Sequence, residues 1–171
     1  MIRPSKPGDV AGILSLAEAS GLFPPEHLEP LEGLLREFFQ AGDAQERFWL
    51  TDDDDGVRGM VFCEPELMTN QTWNLRLIAV APEHQGKGRG AGLLAHTEQF
   101  LAKRGGRLLV VDTSGTEEFD SVRRFYRRCG YSEATRIADF FDTGDDKITF
   151  TKPLRLKSEP ARDGQPDPGV G

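Results

Sequence analysis

The segment Gln85-Gly86-Lys87-Gly88-Arg89-Gly90 joins an apolar run over 75–80 to an amphipathic helical pattern over 91–104. A turn poor in side chains that opens a helix leaves several backbone N–H groups unpaired and aimed at one spot. The helix dipole adds partial positive charge there, and Lys87 and Arg89 add whole charges. This combination predicts a cradle for a phosphorylated ligand.

The elements that must position the cradle can be read from periodicity. Residues 1–3 predict a short strand, closed by the Pro4 to Gly8 turn cluster. Asp9 is placed to cap a helix with Val10, Ile13, Leu14 and Ala17 on one face, stopped by Gly21. A second helix follows the Pro24-Pro25 loop, carrying Leu28, Leu31, Leu34, Leu35, Phe38 and Phe39 and closing near Gly42. Strands are expected over 47–51 and 57–63, joined by an acidic hairpin turn at 52–56. That turn reads as a solvated loop and not as a cation site.

After a loop at 65–71, a strand over 72–80 leads into the glycine turn, and helix 91–104 buries Leu93, Leu94, Phe100 and Leu101. A β-branched run at 107–111 predicts a buried strand. Helix 117–128 sets Val122, Phe125, Tyr126 and Cys129 on one face, with Gly130 as its stop. Strands over 132–141 and 147–152 form a last pair around the turn 142–146. One domain is expected over 1–153. The polar, Pro- and Gly-rich stretch 154–171 is expected to be a disordered tail. The order β-α-α-β-β-β-α-β-α-β-β is a mixed α/β pattern.

Composition narrows the function classes. With 171 residues, 37% hydrophobic and 29% charged, the chain reads as an ordinary globular domain. A net charge of −7 argues against a general nucleic-acid binder. Two cysteines, in no metal-ligand spacing, suggest a reducing compartment, no disulfide framework and no metal site. No signal core and no membrane-length apolar run is evident, so a cytoplasmic protein without a membrane partner is expected.

Three glycine-loop readings compete. A Walker-type loop requires Lys-Ser or Lys-Thr after the glycines, and neither is there. The dinucleotide fingerprint G-x-G-x-x-G/A is met by Gly86 to Ala91, with Asp112 ending the next strand. However, five residues separate the glycines from the preceding strand, and a strand hairpin comes before it. The third pattern is Gln/Arg-x-x-Gly-x-Gly/Ala, met by Gln85, Gly88 and Gly90. Residues 78–94 in this form resemble the acetyl-CoA motif of the GCN5-related N-acetyltransferases, the GNAT family. The segment Arg124-Phe125-Tyr126-Arg127-Arg128-Cys129-Gly130-Tyr131 resembles that family's late motif, and the element order agrees over 1–153.

The resemblance implies an α/β (mixed, α+β-like) GNAT fold, a central, mostly antiparallel sheet of about seven strands with about four helices. It implies acetyl-CoA as co-substrate and a primary amine of a small molecule or peptide as acceptor, joined by direct attack in a ternary complex. Backbone groups of Ile78, Ala79 and Val80 would pair with the acetyl carbonyl and pantetheine amides. Gln85, Gly86, Lys87, Gly88, Arg89 and Gly90 would wrap the diphosphate with N–H donors. Lys87 and Arg89 side chains either reach the adenosine-side phosphates or stay in solvent. A backbone N–H near Val80 would stabilise negative charge on the carbonyl oxygen. Tyr126 would protonate the departing thiolate; the competing reading is a core tyrosine. The asparagine that such relatives often carry upstream falls at Phe119 here, beside Asp120.

The base that deprotonates the amine is less legible. Where relatives carry an acid in the strand before the glycine loop, Asn74 and Arg76 stand here, and neither takes a proton usefully. Glu64 and Glu66 are the candidates, with Asp139 and Asp142 behind them. His84, His27 and His96 read as exposed or structural. Acidic Asp145 and Asp146 and aromatic Phe38, Phe39, Trp49, Trp73, Phe140 and Phe141 fall on the segments expected around the acceptor, which suits a cationic amine. Alternatives are a non-catalytic CoA-binding regulatory module and a nucleotide-binding protein using the same loop. Homodimerisation is left open.

Overall fold

A computed structural model describes residues 1–21, 25–42 and 46–155. The expectation of disorder at 154–171 therefore falls, from 156 onward, outside the described residues, as does Pro24. The elements are β1 (Ile2–Pro4), α1 (Val10–Ser20), α2 (Leu28–Ala41), β2 (Phe48–Asp53), β3 (Val57–Pro65), β4 (Thr72–Val80), α3 (Arg89–Lys103), β5 (Leu108–Ser114), α4 (Asp120–Arg128), β6 (Ser132–Asp142) and β7 (Asp145–Pro153). The strands form one seven-stranded sheet in the order β1-β2-β3-β4-β5-β7-β6. All neighbours are antiparallel except β4 and β5.

Period-two alternation divides the core between the two sheet faces. On β3, Met60 and Phe62 pack with Ile13, Leu16 and Ala17 of α1 and Leu31 and Leu35 of α2. Val61 and Cys63, pointing the other way, pack with Leu93, Leu94 and Leu101 of α3 and Tyr126 of α4. Leu93, Leu94 and Leu101 are at most 1% exposed. Each such leucine contributes about 1.5–3 kcal/mol of burial, which fixes α3, and so the glycine turn at its start, against β3 and β4.

The acidic stretch differs from its expectation. Asp52 and Asp53 belong to β2, and only 54–56 form the turn. The Arg3 guanidinium donates to Asp9 at 2.7 and 2.9 Å and to Asp53 at 2.7 Å. Asp9 makes no side-chain cap to α1; its carboxylate accepts from the Lys6 amide at 2.9 Å and holds Arg3. These hydrogen bonds, the one from Arg3 foremost, hold the Asp9 carboxyl below the usual carboxylate range despite its burial.

Candidate functional site

β4 and β5 pair over only three residues, Thr72 to Asn74 against Leu108 to Val110. Beyond that point they part. Opposite β3, Phe62 faces Leu77 while Cys63 faces Leu75, so Arg76 is an extra residue that bends β4 just where the strands separate. β5 instead pairs with β7 along its whole length. The gap is a cleft of about 870 Å³, walled by residues 75–80 of β4, Val111 to Thr113 of β5, the glycine turn and the inner side of α4.

The turn is held to the strand end by Gln85, whose Nε2 donates to the Val80 carbonyl at 3.0 Å. That carbonyl therefore points away from β3, and ladder alternation turns the backbone groups of Ile78 the same way. Gly88 sits at φ +82°, a left-handed conformation that side chains other than glycine's disfavour, and its carbonyl accepts the first helical bond from Gly92 at 2.9 Å. At Gly90 a Cβ would lie 3.3 Å from the Phe125 ring, so its absence lets α3 and α4 approach. Among the described residues, no protein acceptor is hydrogen-bonded to the amides of 86–91. Six successive unpaired donors thus lie at a helix N-terminus beside the cleft, an arrangement that suits an anion.

The side-chain cations of this turn are committed elsewhere. Arg89 donates to Asp52 at 2.7 Å and to Asp54, spanning from α3 to the β2–β3 hairpin. Lys87 donates through Nζ to the Glu83 carbonyl at 2.8 Å. The donors that the turn leaves without a partner are therefore main-chain amides.

Tyr126 lies 3% exposed on α4 and lines the cleft, its ring 5.4 Å from Phe125, 5.6 Å from Tyr131 and 5.7 Å from Phe150. Burial pushes its phenol above the ordinary tyrosine value, so the group stays protonated at neutral pH. Arg123 fixes the start of α4 by donating to the carbonyls of Ser114 and Thr116 at 2.7 and 2.8 Å. Phe119 lines the cleft, whereas Asp120 pairs with Arg124 at 3.0 Å.

The two glutamates lie beside the cleft, not among its lining residues. Glu64 accepts from Arg76 Nε at 2.5 Å, and Glu66 accepts from Asn74 Nδ2 at 3.3 Å. In the last hairpin, Asp139 accepts from the Gly144 amide, Asp142 from the Thr143 amide and Asp146 from Arg136. Asp145 accepts from Ser114 Oγ at 2.6 Å. Trp49 and Trp73 are core residues, while Phe140 and Phe141 are each 51% exposed. His84 and His96 are also outside the cleft lining, and burial lowers the His96 value.

One carboxylate of the cleft wall was not among the candidate bases. Asp112 lies on β5 two residues beyond the last pair with β4. The apolar run ends at Val111, but β5 continues to Ser114 because β7 supplies partners that far. The sequence sets Asp112 at the end of this strand, and the length of the facing strand β7 is the signal that it lies inside the sheet.

Known proteins agree with this architecture. The family model "Acetyltransferase (GNAT) domain" matches residues 44–133. A GNAT-family protein of Desulfovibrio desulfuricans is 33% identical, with a TM-score of 0.85 over 90% of this chain and 98% of that one. The ribosomal-protein-S18-alanine N-acetyltransferase of Escherichia coli is 22% identical, with a TM-score of 0.69 over 93% and 96%. A spermidine N-acetyltransferase chimera from Vibrio cholerae and hSSAT is 19% identical, with a TM-score of 0.73 over 90% and 96%. These last two show likeness of fold. A comparison with curated protein sequences finds no match. The domain match over most of the parted-strand site, and the likeness to the Desulfovibrio protein over nearly the whole chain, establish that this chain belongs to the GNAT family of acetyltransferases.

Proposed function

We propose that the chain transfers the acetyl group of acetyl-CoA to a primary amine of a small molecule or peptide, by direct attack within a ternary complex. The observation that carries this reading is the row of unpaired amides at 86–91, opening onto the same cleft as Tyr126. Those amides would take the diphosphate. The open edge of β4, where Ile78 and Val80 turn their backbone groups outward and Ala79 between them faces β3, would hold the pantetheine arm as an added strand does, and an amide there would face negative charge developing on the carbonyl oxygen. Tyr126 would give its proton to the departing sulfur. Gln85, Gly86, Gly88 and Gly90 shape the turn, while Lys87 and Arg89 serve through their amides.

The acetyltransferase domain is assigned to 1–153, with 154–171 as a polar tail, and the cytoplasm is the proposed location. The described thiols, Cys63 and Cys129, are free. Among the described residues no helix is long and apolar enough to cross a membrane. A CoA-binding module without turnover is the second reading, favoured by Asn74 and Arg76 on β4. One assay separates them: release of free CoA thiol from acetyl-CoA with a polyamine, an alanine-starting peptide and an aminoglycoside offered singly. Turnover with one of these supports the transferase. Acetyl-CoA binding with no thiol release from any of them overturns it in favour of the second reading.

A further inference from the structure

The transfer needs a group to receive the amine's proton, and the β4 wall offers Asn74 and Arg76 instead of an acid. The opposite wall supplies one. We propose that Asp112 binds the acceptor's ammonium group and takes its first proton; this rests on the acetyltransferase reading above. Asp112 stands on β5 just past the point where the strands part, and it lines the cleft that Tyr126 also lines. Its Oδ1 accepts from Thr149 Oγ1 at 2.6 Å, which fixes the carboxylate plane. Its Oδ2 lies 3.7 Å from Lys147 Nζ, itself 4.1 Å from the centre of the Phe140 ring. A carboxylate has about four acceptor positions, so this one retains capacity for an incoming N–H donor.

The other charged groups of the site are less suited. Glu64 is paired with Arg76 at 2.5 Å across the β3–β4 ladder. Glu118, the other carboxylate of the cleft lining, is exposed in the turn that precedes α4. Tyr126 keeps its proton at neutral pH and, in the reading above, gives it to sulfur. Thr149 and Lys147 on β7 therefore act as positioning residues: one holds a carboxylate oxygen by its hydroxyl and the other lies 3.7 Å from the second oxygen.

The bonds and charges balance. An N–H bond of the ammonium breaks, its proton passes to Asp112, and the electron pair stays on nitrogen. Nitrogen attacks the thioester carbonyl carbon, the C–S bond breaks, and the thiolate takes the phenolic proton of Tyr126. The second ammonium proton restores the phenol. Asp112 releases its proton to solvent, so an ammonium ion and acetyl-CoA give an amide, CoA and one proton.

The test is Asp112→Asn, which keeps the shape and an acceptor for Thr149. With the best amine of the panel, kcat/KM at neutral pH should fall by about 10²-fold or more. The deficit should shrink as pH rises toward the amine's own pKa, about 8 for a peptide N-terminus and about 10 for an alkyl amine, because free amine then arrives ready to attack. Calorimetry should show CoA binding unchanged and amine binding to the CoA-loaded protein weakened. Thr149→Val should lower kcat/KM less, with the same pH trend. Wild-type activity in Asp112→Asn, or a loss that is the same at every pH, would overturn the assignment while leaving the transferase reading intact. If the wild-type chain itself releases no thiol, the transferase reading fails and the Asp112 role falls with it.

Discussion

Gly88→Ala isolates the backbone geometry of the phosphate cradle from every side-chain effect. At this position a Cβ meets nothing within 4 Å, so an added methyl is not excluded by crowding. What it meets is conformation: φ is +82°, and an L-residue held in the left-handed region is strained by about 1–2 kcal/mol. If the turn relieves that strain by rotating, the amides of 86–91 no longer converge, and the strain must be repaid on binding. At about 1.4 kcal/mol per tenfold, the expected weakening of acetyl-CoA is about 5- to 30-fold. Gly92→Ala is the internal control. It lies four residues on, also meets nothing within 4 Å, and has no left-handed φ. Inside α3 it should stabilise the fold by about 0.5–1 kcal/mol and leave affinity alone. Titration calorimetry with CoA, paired with thermal melts of both variants, makes the comparison. Equal CoA affinity in Gly88→Ala and wild type would refute the claim that converging main-chain donors bind the diphosphate.

Three further outcomes are expected. Tyr126→Phe should lower turnover by about 10²-fold while acetyl-CoA affinity holds, since general acid catalysis contributes at least that much; unchanged turnover removes the phenol from the chemistry. Arg89→Gln should lower the melting temperature, because Asp52 and Asp54 lose their guanidinium, yet shift CoA affinity little; a large affinity loss in calorimetry, with melting unchanged, would return that side chain to the phosphates. Asp9 is held below its ordinary value by Arg3, so its stabilising effect is complete above about pH 4 and is lost as pH falls further. Asp9→Asn should therefore flatten the acid limb of stability against pH, and an unaltered limb in acid unfolding would refute it.

What was legible in the sequence was local. The glycine turn, the helix after it and the Phe125-Tyr126 face follow from spacing along one segment, and the structure places them around one cleft. Long-range pairing was not legible. Four consecutive aspartates look alike as a string, yet Asp52 meets Arg89, Asp53 meets Arg3, and Asp54 meets Arg89. The sequence leaves the Arg89 side chain between phosphate and solvent, because its partners lie 35 and 37 positions away. Asp112 was passed over for a related reason. The sequence ends the strand at Asp112, but the pairing with β7 that carries it on to Ser114 and sets Asp112 in the cleft wall is long-range. The carboxylates expected to act, Glu64 and Glu66, instead bond residues of the neighbouring strand.

The short contact between β4 and β5 has a mechanical consequence. Three residue pairs are all the ladder that joins strands β1–β4 to strands β5–β7. A ligand lying along the open edge would act as a stitch across this seam, adding main-chain bonds that the protein alone does not make. Amides on both lips of the seam should then exchange hydrogen more slowly with CoA bound, and by a larger factor than those of β2 and β3.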